Sequence, residues 1–262
     1  MFPVAFYIGY FPVRTYYLFN ALGILAGFLA LFLLACKMDK DKQKKFFLFA
    51  LIIFIPFFIG ARLGGILEYL IINRPLYSHD CMFLGPFSLW WGLALSSACA
   101  FIIGPYLKVS HWEAADLFAV SIAAGGIFAR LACFSNGCCH GIPCPESFPF
   151  PVTFPPATQA GSIFKNTPVY PSQLFEAAGF LVILVCLVLI YNNRRFEGET
   201  FLSMICLYSV IRFLVEFTRY NESTYLFLSI PQYWAIAGFS ACLLLYLYRL
   251  KHNRKFDTKT IK

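Results

Sequence analysis

Seven separate apolar stretches, each long enough to cross a bilayer, constrain this chain more than any single motif in it. They run over about 14–36, 47–72, 87–107, 114–134, 174–191, 200–218 and 231–248. A spanning helix needs ~20 mostly apolar residues. Of the 262 residues 60% are hydrophobic and only 13% are charged, whereas soluble domains carry about 25% charged residues. That balance excludes both a soluble globule and a disordered chain. The expectation is an all-α integral membrane protein, one polytopic domain over 1–262 with seven transmembrane helices. The first stretch lacks the charged head, short apolar core and small-residue cleavage site of a signal peptide, so it is read as a retained helix.

The net charge of +8 is explained by where the basic residues fall. Lys37, Lys40, Lys42, Lys44 and Lys45 follow the first stretch, Lys108 the third, and Arg194 and Arg195 the fifth. Arg249, Lys251, Arg254, Lys255, Lys259 and Lys262 fill the tail. The alternate connections hold only Arg14, Arg74, Lys165 and Arg219. Cytoplasmic loops are the basic ones, which places the N-terminus outside and the C-terminus in the cytoplasm. The basic tail then anchors the topology beside anionic lipid, and no nucleic-acid partner is expected. No internal repeat or low-complexity tract is present. Segment 135–173 holds eight prolines, from Pro143 to Pro171. A long helix is therefore excluded there, and a long external loop of irregular structure is expected.

Charged groups inside the stretches need a reason, because each costs at least ~2.5–3.5 kcal/mol at the bilayer centre. With the orientation above, Arg62 and Glu68, Arg130, Gln173 and Glu176, Arg14 with Tyr16 and Tyr17, and Arg212, Glu216 and Arg219 all fall toward the outer half of the membrane. The last three lie at i, i+4 and i+7, one face of a helix. These groups either brace the bundle by pairing, or line a site for an anionic lipid headgroup. Guanidinium suits the second role, since it is always charged and grips phosphate as a two-pronged fork.

Of ten cysteines, Cys36, Cys99, Cys186, Cys206 and Cys242 are read as small packing residues. Cys81, Cys133, Cys138, Cys139 and Cys144 are not. Three readings stand for these: a metal site, an external disulfide such as Cys81 with Cys144, or a catalytic thiol. The spacing contains no standard C-x2-C pair, and adjacent Cys138 and Cys139 are expected to project differently, so no metal is expected.

Gly126 through Asn136 and Gly137 to Gly141 resemble the signature of bacterial prolipoprotein diacylglyceryl transferases, roughly G-R-x-G-N-F-x-N-G-E-x-x-G. Gly60-Ala61-Arg62-Leu63-Gly64 is similar to that family's G-x-R-x-G, and Tyr170 to Glu176 to its H-P-x-Q-L-Y-E. Arg212-Phe213 through Glu216 to Arg219 is similar to its R-F-x-x-E-x-x-R. Arg14 to Tyr17 resembles its early R-x-Y, and Gln232 a glutamine opening the last span. The resemblance reaches from residue 12 to about 235. It implies an enzyme of the bacterial inner membrane with its site toward the outer leaflet and no cofactor. Such an enzyme moves the diacylglyceryl group of phosphatidylglycerol onto the lipobox cysteine of an exported prolipoprotein and releases glycerol phosphate.

The resemblance assigns Arg130 and Arg212 to the phosphate, with Arg62 and Arg219 secondary. Asn136, Gly141 and Gln173 then belong to the substrate pocket. Alternatives stay open at several positions. Arg62 binds phosphate or pairs with Glu68 or Glu216. Gly141 shapes the pocket or simply turns the chain. His140 is the general base or an exposed loop histidine. Glu176 and Glu216 orient arginines or accept a proton, and Tyr17 bonds the substrate or joins the interfacial aromatic belt. Trp90 and Tyr170 stand where the family often has histidine, Cys133 replaces an asparagine, and Cys138 replaces the glutamate. Gly137-Cys138-Cys139-His140-Gly141 is similar to the G-C-C-Y-G pattern of a cysteine-rich branch. These departures admit the same fold with a different acceptor. A transporter, which would show repeats and broken helices near the midplane, fits less well.

Overall fold

The computed structural model describes residues 4–72, 88–145, 147–220, 224–225 and 227–260. A short hairpin, β1 (Val4–Ile8) and β2 (Phe11–Arg14), comes first. Its strands pair antiparallel around Gly9, whose φ of 60° supplies the tight turn. Then follow α1 (Thr15–Ala35), α2 (Lys40–Ile72), α3 (Leu89–Leu107), α4 (His111–Asn136), the short α5 (Gln159–Phe164), α6 (Ser172–Asn192) and α7 (Glu199–Glu216). A two-residue hairpin, β3 (Thr224–Tyr225) with β4 (Leu228–Ser229), leads into α8 (Ile230–Thr260).

Among the described residues, six helices are long and apolar enough to cross a membrane: Thr15–Ala35, Lys40–Glu68, Trp90–Leu107, His111–Asn136, Ser172–Asn192 and Ile230–His252. The chain is thus an all-helical integral membrane protein. The stretch expected over 200–218 is α7, which packs Glu199, Arg212 and Glu216 into 18 residues and falls outside that set. Arg14 does not open the first span as expected. It ends β2 opposite Val4, because the hairpin consumes the chain up to Thr15.

Two compact units emerge, residues 1–33 with 115–262, and residues 34–114. In the smaller one α2 packs along α3, and the Ser88 hydroxyl at the foot of α3 donates to Glu68 Oε1 at 2.8 Å. Arg62 is half-buried on α2 of this unit, and Trp90 stands 78% exposed on α3. That exposure suits an interfacial anchor. Cys81 lies outside the described residues.

In the larger unit α1 meets α4 where side chains are smallest. A Cβ on Gly23 would sit 3.0 Å from the Gly125 carbonyl oxygen. Without water to drive association, close backbone approach is what holds helices together in lipid. α6 packs on α7, and α7 on α8. One end of α7 is tied down by Asp116 of α4. This fully buried carboxylate accepts the Gly198 and Phe201 amides at 2.8 and 2.9 Å and faces Arg194 at 3.2 Å.

The segment joining α4 to α6 is irregular, as its prolines require, but it is not featureless. Phe154, Ala160 and Val169 bury together beneath it, with Phe134, Val152 and Phe164 packed around them. Isolated bridges join Pro143 and Val152 to Val169, and Gly141 to Arg219. The last of these fixes the loop to the chain leaving α7.

Candidate active site

The centre of the polar cluster is Glu176, on the second turn of α6 and 1% exposed. Its Oε1 lies 2.7 Å from Nη2 of Arg130, near the end of α4, and accepts the Tyr208 hydroxyl of α7 at 3.2 Å. Its Oε2 lies 3.5 Å from Nη1 of Arg219. A buried carboxylate this deep is tolerated because opposite charges and a hydroxyl replace its lost hydration. The two arginine side chains are 20% and 16% exposed and that of Glu176 is 1%, so the cluster presents arginine, not glutamate, to its surroundings. Its formal charge is +1.

A second pair lies on α7. Arg212 Nη1 contacts Glu216 Oε2, i to i+4, and Glu216 Oε1 accepts the Ser229 hydroxyl at 2.7 Å. The Ser229 amide donates to Gln232 Oε1 at 2.9 Å, so the start of α8 closes over this pair.

The expected face of Arg212, Glu216 and Arg219 does not form, since α7 ends at Glu216. Thr218 turns its hydroxyl back to the Val215 carbonyl at 2.8 Å, and its own carbonyl accepts the Ile142 amide and the Ser172 hydroxyl. The chain therefore leaves the helix to pair with the loop, and Arg219 joins Glu176 instead of Arg212.

That junction explains Gly141. A Cβ there would fall 2.3 Å from the Tyr170 carbonyl oxygen and 2.7 Å from that of Thr218. Gly141 is thus a close-approach residue, and the simple turn does not describe it. His140 is neither exposed nor free to turn. It is 4% exposed, its ring stacks on Tyr220 at 5.4 Å and meets the edge of Phe164 at 5.1 Å, and Nδ1 lies 3.2 Å from the Gly141 carbonyl oxygen. Its place is an aromatic box, so the exposed-loop alternative is corrected. Tyr170 packs its ring 4.8 Å from Phe148. Tyr17 is half-buried on α1 and meets Tyr16 edge-on at 5.5 Å.

Gln173 is 1% exposed, and its Nε2 donates to the Cys138 carbonyl at 2.8 Å. Asn136 ends α4, with its side chain in hydrogen-bonding reach of Cys138. The adjacent cysteines do not diverge as expected. Cys139 adopts φ 56°, which swings its sulfur back, so that the sulfurs of Cys133, Cys138 and Cys139 all lie within 4.8 Å of one another. Hydrogen bonds from the Cys133 and Cys138 thiols, then the charges of Arg219 and Arg130, hold the Cys139 thiol well below the ordinary thiol range, against the effect of burial. The nine described cysteines are all free thiols. Sequence reasoning missed Tyr208 and Ser229; the first was legible only as the residue one turn before Arg212 on the Arg212–Glu216 face.

The model of one family, prolipoprotein diacylglyceryl transferase, matches residues 3–248. The chain belongs to this family. Among its relatives, a protein of Clostridium botulinum (strain 657 / Type Ba4) is 29% identical over 229 residues, covering 86% of this chain and 88% of its own length. Another, of Clostridium kluyveri (strain ATCC 8527 / DSM 555 / NBRC 12016 / NCIMB 10680 / K1), is 27% identical over 260 residues, covering 97% of this chain and 99% of its own. Both are named phosphatidylglycerol–prolipoprotein diacylglyceryl transferase.

Proposed function

We propose that the chain transfers the diacylglyceryl group of phosphatidylglycerol to the lipobox cysteine of an exported prolipoprotein. The thiolate sulfur bonds to the glyceryl carbon, the carbon–oxygen bond to phosphate breaks, and glycerol phosphate leaves. Family membership and the names of the relatives support the reaction. The observation that carries the site is the single carboxylate of Glu176 shared by Arg130 and Arg219, which leaves one positive charge on two partly exposed arginine side chains. A phosphate diester supplies the missing negative charge. As the bond breaks, charge grows on the leaving phosphate, and fixed donors aimed at developing charge lower the barrier.

In this reading Arg130 and Arg219 hold the phosphate, Glu176 and Tyr208 position them, and Arg212 with Glu216 forms the neighbouring wall. Gln173, Asn136 and Gly141 shape the headgroup pocket. Arg62 and Tyr17 are proposed as substrate contacts on the family motifs alone. The surroundings of His140 favour packing over proton transfer. We place the protein in the bacterial inner membrane with seven spans, α7 included. Its charges are balanced by Arg195 at Glu199 and by the Arg212–Glu216 pair. The basic connections put the C-terminus in the cytoplasm and the site toward the outer leaflet.

Transfer of labelled diacylglyceryl from phosphatidylglycerol to a lipobox peptide by the purified protein tests the reading. Label should reach the peptide and stop when its cysteine becomes serine. Labelled lipid that binds but is never transferred would overturn the acceptor.

A further inference from the structure

The cysteine cluster has no role in the reading above, yet four separate features of the chain build it. α4 presents Cys133 on its last turn. Gly137 at φ 71° reverses the chain, and both the amide and the thiol of Cys138 turn back to the Cys133 carbonyl, at 3.2 and 3.7 Å. Cys139 takes the left-handed backbone, which disfavours any residue with a Cβ. Gln173 clamps the turn from α6. Its carbonyl oxygen Oε1 is buried and has no hydrogen-bond partner among the described residues. The Cys138 carbonyl requires the amide nitrogen on its side, so Oε1 is left for another donor.

We propose that Cys133, Cys138 and Cys139 form a three-thiolate site for a divalent thiophilic cation, zinc by its chemistry, with a fourth coordination position open. Zinc binds thiolate sulfur at about 2.3 Å. Tetrahedral sulfurs at that distance stand about 3.8 Å apart, so the cluster needs to contract by only about an ångström. Charge selects the cation. Zinc with three thiolates carries one negative charge, where a monovalent ion in its place leaves two. A monovalent soft ion would leave an excess negative charge in a half-buried place. Three protein ligands and one open position is the arrangement of catalytic zinc. The use of that position rests on the transfer reading: an acceptor thiol binds there as thiolate and gives its proton to water, with nothing oxidised or reduced.

The full-length protein in detergent, with zinc alone as the probe, provides the test. Metal analysis after dialysis should give one zinc per chain, and cobalt(II) in its place should show thiolate-to-metal charge-transfer absorption. Cys138→Ser and Cys139→Ser should each lose the metal, while Cys144→Ser keeps it. Wild-type protein without zinc or the cobalt band, equal metal in the Cys138→Ser and Cys144→Ser variants, or a disulfide joining two of the three sulfurs would overturn the site. Chelation should remove metal and transfer together, and zinc should restore both. Transfer that survives complete chelation overturns the open position's role. Bound zinc with no transfer under any condition overturns the transferase reading while the metal site stands.

Discussion

Arg130 and Arg219 meet through one carboxylate: Nη2 of Arg130 is 2.7 Å from Glu176 Oε1, and Nη1 of Arg219 is 3.5 Å from Oε2. Residues 89 apart in the chain thus share a counter-charge. With Arg130 holding the phosphate as proposed, Arg130→Ala removes a fixed donor, and losing one such donor costs about 10²–10³ in kcat. The expected result is normal membrane insertion with transfer to a lipobox peptide reduced by about two orders of magnitude. Arg130→Lys keeps the charge but loses the fork, and should recover only part of the rate. Full transfer by the alanine variant would remove Arg130 from the phosphate site.

Glu176→Gln keeps the shape and can still accept the Tyr208 hydroxyl, but it removes the charge. Breaking a buried pair by deleting one partner costs ~3–5 kcal/mol. Both arginines retain some exposure, so the loss should fall toward the low end of that range. A lowered unfolding temperature in detergent, together with a fall in kcat, is the expected pattern. An unchanged melt would show that Arg130 and Arg219 do not depend on this carboxylate.

Six of the seven expected spans were legible because burial in lipid writes length and hydropathy directly into the sequence. The cluster was legible only in part. Arg130, Glu176, Arg212, Glu216 and Arg219 stand out because charge in an apolar stretch is costly, but which arginine meets which glutamate depends on where α7 stops. That stop is set by the Thr218 carbonyl bonding to Ile142 and Ser172, contacts far apart in sequence that no helical periodicity encodes. The hairpin β1–β2 was missed although Gly9 marks its turn, since its strands continue into an apolar run. The convergence of Cys133, Cys138 and Cys139 was missed because it rests on backbone angles at Gly137 and Cys139, which residue spacing does not report.

Gly141→Ala should act through position, not charge. The new methyl would meet the backbone oxygens of Tyr170 and Thr218, at 2.3 and 2.7 Å, and backbone cannot move aside as a flexible side chain does. The bridge between Gly141 and Arg219 is the first thing to give. Overpacking of this kind costs about 1–3 kcal/mol. Transfer should drop while the protein still inserts, and protease should cut the α4–α6 connection faster than in wild type. Equal cleavage and equal rate would show that the junction tolerates the methyl.

His140→Phe separates packing from proton transfer. A phenyl ring can occupy the box of Tyr220 and Phe164 but cannot take a proton. Loss of a general base costs typically 10²–10⁴-fold. If His140 only packs, the variant should keep most of its transfer rate and its pH dependence. A loss in that range with an unchanged melting temperature would restore the histidine as base.

Asp116 gives the converse case, a charged group in the same helix as Arg130 that should matter for stability alone. It lies fourteen residues earlier on α4, about 21 Å away at 1.5 Å per residue. Its two oxygens accept the Gly198 and Phe201 amides at the start of α7 and face Arg194. Asparagine has one acceptor oxygen and no charge, so Asp116→Asn leaves one of those buried amides unpaired. An unmade buried hydrogen bond costs about 1–3 kcal/mol. The variant should melt at lower temperature, with α7 and α8 more open to proteolysis, and its KM for phosphatidylglycerol should not change. The distance makes the prediction sharp: a changed KM with an unchanged melt would mean that the two ends of α4 are coupled, and that Asp116 belongs to the substrate site after all.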